Sequence, residues 1–336
     1  MKQNRKVFPS NLMSEVTSNT VLEMALKQVS KCREKDTHNS DIWHVRFYWP
    51  KIKEEVRHTL LNGTYQLSPV QVCGNKDGHR LTRWTAIDAI VLKAISIVLT
   101  EPVQDHIDKR CYHIKGNGGV KGAINKVHDF IKGYQFVVKS DIADFYASMN
   151  HQIVMEHCKQ VIKDKSILMI IQQYLTRVEI THGDYDLIKE GIVKGCPLSP
   201  LMGAIMLKFL DKIVPGDCAY ARFMDDWLIL TKTRGQLRRI IKKMHRVVKN
   251  LKFKLALDKT YIGRIKNGFD FLGYRFSKNG VIGLAQKTID NYYNKIATLY
   301  EQHRTDHDIS YYKRRWKSWA LGGLKGDANV VVAGLF

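Results

Sequence analysis

The chain has 336 residues, 44% of them apolar, enough for a large core in one or two domains. Its 54 Lys and Arg stand against 32 Asp and Glu, a formal charge of +22 with a pI near 9.7. An excess that large, spread along the chain, points to a polyanionic partner, nucleic acid before anionic membrane, and argues against charge serving solubility alone.

At the N-terminus, basic residues are not followed by an apolar stretch, so no secretory signal is expected. Residues 1–42 are polar and mixed, with a short helical patch at 21–29, and are expected to order only on a partner. Trp43, Phe47, Ile52, Val56 and Leu60 recur at helical spacing, predicting a helix over 41–63. A basic hairpin follows, turning at Asn75-Lys-Asp-Gly78 and carrying Lys76, His79, Arg80 and Arg83, either as a solvated surface or as a clamp on phosphates. The helix expected over 86–107 is apolar, but Lys93 interrupts it and no run reaches membrane-spanning length. The segment Lys115-Gly-Asn-Gly-Gly-Val-Lys-Gly122 is glycine-rich beside lysines, yet has the spacing of neither a P-loop nor a dinucleotide fingerprint. A helix is expected over 123–131.

Phe136-Val-Val-Lys-Ser-Asp-Ile142 reads as a buried strand ending in a carboxylate, which is costly unless paired or metal-bound. Helices are expected at 151–163, 166–176 and 201–213, the last opened by Ser199-Pro200. In Ala219-Tyr-Ala-Arg-Phe-Met-Asp-Asp-Trp-Leu-Ile-Leu-Thr231, two apolar strands flank Asp225-Asp226 at a tight turn. Adjacent carboxylates repel unless a divalent cation neutralises them; the alternative is an ordinary exposed turn. A strongly basic helix is expected at 236–251, strands at 254–265 and 269–276, and helices at 286–303 and 310–321. The last helix interleaves Tyr311, Tyr312, Trp316 and Trp319 with Lys313, Arg314, Arg315 and Lys317, either for nucleic acid or as a packed amphipathic face. The six cysteines are scattered without a C-x-x-C pair, as in free thiols of a reducing cytoplasm.

In order along the chain, these stretches resemble bacterial reverse transcriptases. Asp141-Ile-Ala-Asp-Phe-Tyr146 is similar to the family's first catalytic motif. Lys194-Gly-Cys-Pro-Leu-Ser-Pro200 is similar to the second, Phe223-Met-Asp-Asp226 to the third, Leu257-Asp-Lys-Thr260 to the fourth, and Phe271-Leu-Gly-Tyr274 to the primer grip. Lys194 stands where the family usually has Gln, and Phe223 where Tyr is commoner. The resemblance implies an α+β right-hand polymerase: fingers (43–135), antiparallel-sheet palm (136–280) and helical thumb (281–336), after an extension (1–42). No appended endonuclease or ribonuclease H domain is expected.

It further implies RNA-directed DNA synthesis. Asp141, Asp225, Asp226 and the Ile142 carbonyl would hold two Mg²⁺ ions, with Mn²⁺ as a substitute. Lys76, Arg80, Lys194, Gly195 and Lys259 would meet the nucleotide, and Tyr146 would block a 2′-hydroxyl. Phe271, Leu272, Gly273 and Tyr274 would grip the primer, while Lys313, Arg314, Arg315 and Lys317 would bind nucleic acid. The expected partners are an RNA template, dNTPs, the DNA product, and an accessory protein or second copy, in the cytoplasm. The compact build resembles small enzymes that copy a dedicated noncoding RNA in anti-phage defence; the alternatives are a diversity-generating or template-independent polymerase, or an inactive RNA-binding scaffold.

Overall fold

The computed structural model describes residues 11–76 and 79–324. In chain order they form α1 (Met13–Val16), α2 (Asn19–Cys32), α3 (Asp41–Phe47), α4 (Trp49–Leu61), β1 (Val70–Lys76), β2 (His79–Arg83), α5 (Ala86–Gln104), α6 (Gly119–Phe130), β3 (Phe136–Ser140), α7 (His151–Val161), α8 (Lys165–Leu175), β4 (Val178–Thr181), β5 (Asp184–Leu187), α9 (Ser199–Lys212), β6 (Ala219–Phe223), β7 (Asp226–Thr231), α10 (Arg234–Asn250), β8 (Tyr261–Arg264), β9 (Phe269–Phe271), β10 (Tyr274–Ser277), β11 (Gly280–Leu284), α11 (Gln286–Glu301) and α12 (Asp306–Leu321). This is the α+β class expected. The chain divides into two units: residues up to Asp108 with 143–209 and 250–253, and residues 109–142, 210–249 and 254 onward. No helix among the described residues is long and apolar enough to cross a membrane.

The first unit is built on α5, whose residues are buried on nearly every side. Helix α2 packs against α5, with Val21, Leu22, Ala25 and Val29 inside and the Ser18 hydroxyl accepting from Val21 N–H at its start. This corrects the expectation that the N-terminal stretch orders only on a partner: four apolar residues at helical spacing already have a core to enter. The helix expected over 41–63 is two, α3 and α4, because Pro50 restarts the chain after Tyr48. A four-stranded sheet runs β2-β1-β4-β5, with β1 and β4 parallel. The sequence pattern did not predict the β4–β5 hairpin, whose strands are short and turn through positive φ at His182 and Gly183.

The second unit centres on an antiparallel sheet in the order β6-β7-β3-β8. Strand β3 lies between β7 and β8, pairing Ser140 with Trp227 and Lys139 with Tyr261. Val137, Ala219, Ala221, Leu228 and Leu230 of this sheet join Ile124 and Val127 of α6 and Phe269, Phe271, Tyr274 and Phe276 in one core. The strand expected over 254–265 is reduced to β8. Residues 256–260 instead form a turn in which Lys259 N–H and the Thr260 hydroxyl both donate to Ala256 C=O. The strand expected over 269–276 folds back on itself as β9 and β10, through positive φ at Leu272 and Gly273.

Candidate active site

Three carboxylates meet at one end of the second unit's sheet. Asp141 follows Ser140, the last residue of β3, and Asp226 opens β7, whose Trp227 pairs with Ser140. The antiparallel register therefore sets Asp141 beside the β6–β7 turn. That turn is two residues long, Met224 and Asp225, between the paired Phe223 and Asp226. Met224 has φ 58°, a left-handed conformation that costs a side-chain-bearing residue energy and is found where surrounding structure imposes it.

A buried network imposes it here. Arg222 is fully buried and grips Asp211 twice, Nε to Oδ1 and Nη2 to Oδ2, both at 2.7 Å. Its third nitrogen, Nη1, donates to Met224 C=O at 2.9 Å, so the guanidinium caps the turn from inside. Tyr220 OH donates to Asp211 Oδ1 at 2.6 Å. Burial works against the Arg222 charge, but the Asp211 carboxylate outweighs it and holds the guanidinium protonated. On the other side of the turn, Met224 N–H donates to His113 Nδ1 at 2.9 Å. None of Arg222, Asp211, Tyr220 or His113 stood out as a site residue in the sequence. The available signal was an Arg and an Asp each embedded in an apolar run, which buries a charge that must find its opposite.

The carboxylates carry more negative charge than their surroundings neutralise. Asp225 is pushed up to about 7, by burial first and then by Asp141, with which it is within hydrogen-bonding reach. Asp226 rises to about 6, again by desolvation and then by Asp141, although the residue keeps an exposed face, so Asp225 is the more firmly shifted. Lys259 Nζ sits 2.5 Å from Asp141 Oδ2, and that hydrogen bond raises its own pKa. The ammonium is half exposed, so water screens the pair.

No trio of His, Cys, Asp or Glu among the described residues is already closed into a metal-binding cluster. The donor set nonetheless suits a hard divalent cation: oxygens only, mutually repelling, and held partly protonated in its absence. Ile142 is buried and bridges to Leu255, while Asp141 C=O accepts from Ala256 N–H. Lys259, expected to meet the nucleotide, places its ammonium on Asp141.

The other expected residues separate into groups. In the first unit, Tyr146 is half-buried against Phe145, and its carbonyl accepts from Ile192 N–H at 2.8 Å. This ties the segment after Asp141 to the loop carrying Lys194 and Gly195. A Cβ on Gly191 would lie 2.6 Å from Ala147 C=O, so only glycine permits that approach. Lys194 and Gly195 are exposed and line a cavity of about 370 Å³ with Arg33, Arg83, Trp84 and Lys93. The side chains of Lys76 and Arg80 lie outside the described residues.

In the second unit, Phe271 and Tyr274 are buried, and Tyr274 OH donates to Trp319 C=O at 2.9 Å. Of the four residues expected to grip the primer, only Leu272 and Gly273 at the tip are partly open. In α12, Trp316 stacks on Tyr292 at 4.1 Å and Trp319 packs on Tyr274 at 5.4 Å. Lys313, Arg314, Arg315 and Lys317 are exposed.

A family model described as reverse transcriptase (RNA-dependent DNA polymerase) matches residues 75–276, more than half of the chain. Among curated proteins, Protein YkfC of Escherichia coli (strain K12) is 22% identical over 265 residues, 66% of this chain and 70% of that protein. Among solved structures, chains of a partial Cas6-RT-Cas1–Cas2 complex and of a Cas6-RT-Cas1–Cas2 complex match at 19% identity and a TM-score of 0.43, covering 72% of this chain. The match takes in 43% and 27% of those two chains, so this chain spans less than half of either.

Proposed function

This chain belongs to the reverse transcriptase family, and from that premise we propose that it extends a primer on an RNA template from dNTPs, with Asp141, Asp225 and Asp226 as its metal-binding carboxylates. The observation that carries the reading is the convergence of these three side chains at one sheet end, two of them shifted to about 7 and about 6. The reaction is in-line transfer: the primer 3′-hydroxyl attacks the α-phosphate and pyrophosphate leaves. Two divalent ions, Mg²⁺ or Mn²⁺, supply electrostatic stabilisation of the attacking and leaving oxygens when bound.

The chain's own residues do the rest. Asp141, Asp225 and Asp226 would hold the ions, with the Ile142 carbonyl as a further oxygen. Arg222 and His113 keep the turn in the strained conformation that presents Asp225. Lys259 carries a proton at Nζ, beside Asp141, for the departing pyrophosphate. Tyr146 excludes a 2′-hydroxyl. Lys194 and Gly195 meet the nucleotide, and the Leu272-Gly273 tip meets the primer.

Asp225→Asn with Asp226→Asn is expected to abolish nucleotide incorporation while RNA binding persists. Robust polymerisation by the double variant overturns the assignment. Tyr146→Ala is expected to admit ribonucleotides, measured as the ratio of rNTP to dNTP incorporation; an unchanged ratio makes the ring a packing residue. Sequencing the nucleic acid that copurifies with the protein tests whether one dedicated noncoding RNA is the template, the expectation that accompanies a role in anti-phage defence.

A further inference from the structure

Helix α10 has the sequence RGQLRRIIKKMHRVVKN, with seven Lys and Arg and no acidic residue. Leu237, Ile240, Met244 and Val248 are buried, which fixes how the helix is rotated on its unit. At 100° per residue, Arg238, Arg239, Lys242, Lys243, Arg246 and Lys249 then fall on the opposite half-cylinder, with Arg234 at its edge. All seven are exposed. None makes an ion pair or hydrogen bond with another described side chain, so no acidic neighbour neutralises the face.

Folding alone does not require this arrangement. Like charges at i and i+4 repel, and Arg234, Arg238, Lys242 and Arg246 form such a row with no glutamate interspersed. The row is about 18 Å long at 1.5 Å per residue. It presents side chains suited to phosphate at regular intervals along a rigid rod.

The N-terminal part of this face is also removed from the carboxylates. Asp226 opens β7, and α10 begins only after Thr231 at the other end of that strand, about 17 Å away at about 3.3 Å per residue. A ligand lying on the N-terminal half of α10 is therefore not held by the carboxylate site.

We propose that this face of α10 is a docking surface for the phosphodiester backbone of folded RNA, a second contact outside the polymerisation site. The partner is a polyanion because the surface is wholly cationic. It is RNA rather than an anionic membrane because the helix's apolar side is spent in the core, leaving no exposed apolar residue to enter a bilayer. The inference rests on the reading that the chain handles RNA, and a binding measurement tests it independently of catalysis.

The test uses the full chain carrying Arg238→Gln, Lys242→Gln and Arg246→Gln, beside a control carrying Lys159→Gln, Lys163→Gln and Lys165→Gln, which removes equal charge from exposed sites in the first unit. Affinity for a labelled RNA hairpin is measured across a salt series. The α10 variant is expected to bind more weakly, with a log K against log salt slope shallower by about 2–3, at 0.7–0.9 per lost phosphate contact. The control is expected to keep the parental slope, and both variants the parental Tm and the parental rate on a short primer–template. An unchanged slope in the α10 variant overturns the proposal. Equal loss in both variants also overturns it, because net charge is then sufficient. Loss of binding to phosphatidylserine vesicles with RNA binding intact overturns it in favour of a membrane. Should the wild type bind RNA but fail to polymerise, the activity reading falls while the slope comparison still stands.

Discussion

Asp225 is the most strongly shifted carboxylate of the candidate site. Its carboxyl is protonated well above the usual range because burial and Asp141 both oppose its charge. An unfolded aspartate titrates near 3.9, so between about pH 4 and 7 the folded, metal-free protein binds more protons than the unfolded chain. The stability this contributes is fully present below about pH 4 and is lost as pH rises through about 7. A bound cation reverses the balance, since it needs the carboxylates ionised. The rise in Tm on adding Mg²⁺ is therefore expected to be larger at pH 8 than at pH 6, and Asp225→Asn is expected to remove most of it. An Mg²⁺ shift independent of pH, or one untouched by Asp225→Asn, argues that the ion binds elsewhere. Asp211 and Arg222 belong to the same scale. They lie behind the turn, where Arg222 bonds both Asp211 and the Met224 carbonyl beside its left-handed backbone.

At the scale of the element, α12 has two faces of different character. It begins at Asp306, four residues before the start expected from periodicity, because Thr305 accepts from Asp308 N–H and caps the added turn. Its aromatic side, Tyr312, Trp316 and Trp319, packs on Tyr292 and Tyr274, while the cations point outward. Trp316 is half-buried, so Trp316→Ala is expected to cost less than the roughly 3–5 kcal/mol of a fully buried tryptophan, seen as a lower Tm with an unchanged salt slope. Lys313→Ala with Arg314→Ala is expected to do the reverse: same Tm, shallower salt dependence of RNA binding. Exchange of the two phenotypes, or neither appearing, refutes the division. Hairpin β9–β10 divides similarly, its flanking Phe271 and Tyr274 anchoring a tip that needs glycine because a Cβ on Gly273 would lie 3.0 Å from Trp319.

Across the whole molecule the governing quantity is charge. A chain at +22 whose exposed surfaces include α10 and the cationic side of α12 is expected to bind nucleic acid largely through counterion release. If it makes about 6–10 phosphate contacts, its affinity for RNA is expected to fall by about 10³–10⁵ between about 50 and 200 mM salt. A titration showing a nearly flat response would assign binding to base stacking rather than phosphate.

The carboxylates of the candidate site were legible in the sequence because their signals are local. Asp141 at the end of an apolar strand and Asp225-Asp226 between two more are patterns that propensity and burial cost reveal without coordinates. The positions of α5, α10 and the strands β3, β6 and β7 follow from periodicity for the same reason. Tertiary structure decided what depends on partners far along the chain. It packed α2 onto α5, paired Arg222 with Asp211, placed Lys259 on Asp141 and buried Tyr274 under Trp319. A buried charge announces that it needs an opposite, but which of 32 carboxylates answers is settled only when the sheet brings distant residues within hydrogen-bonding distance.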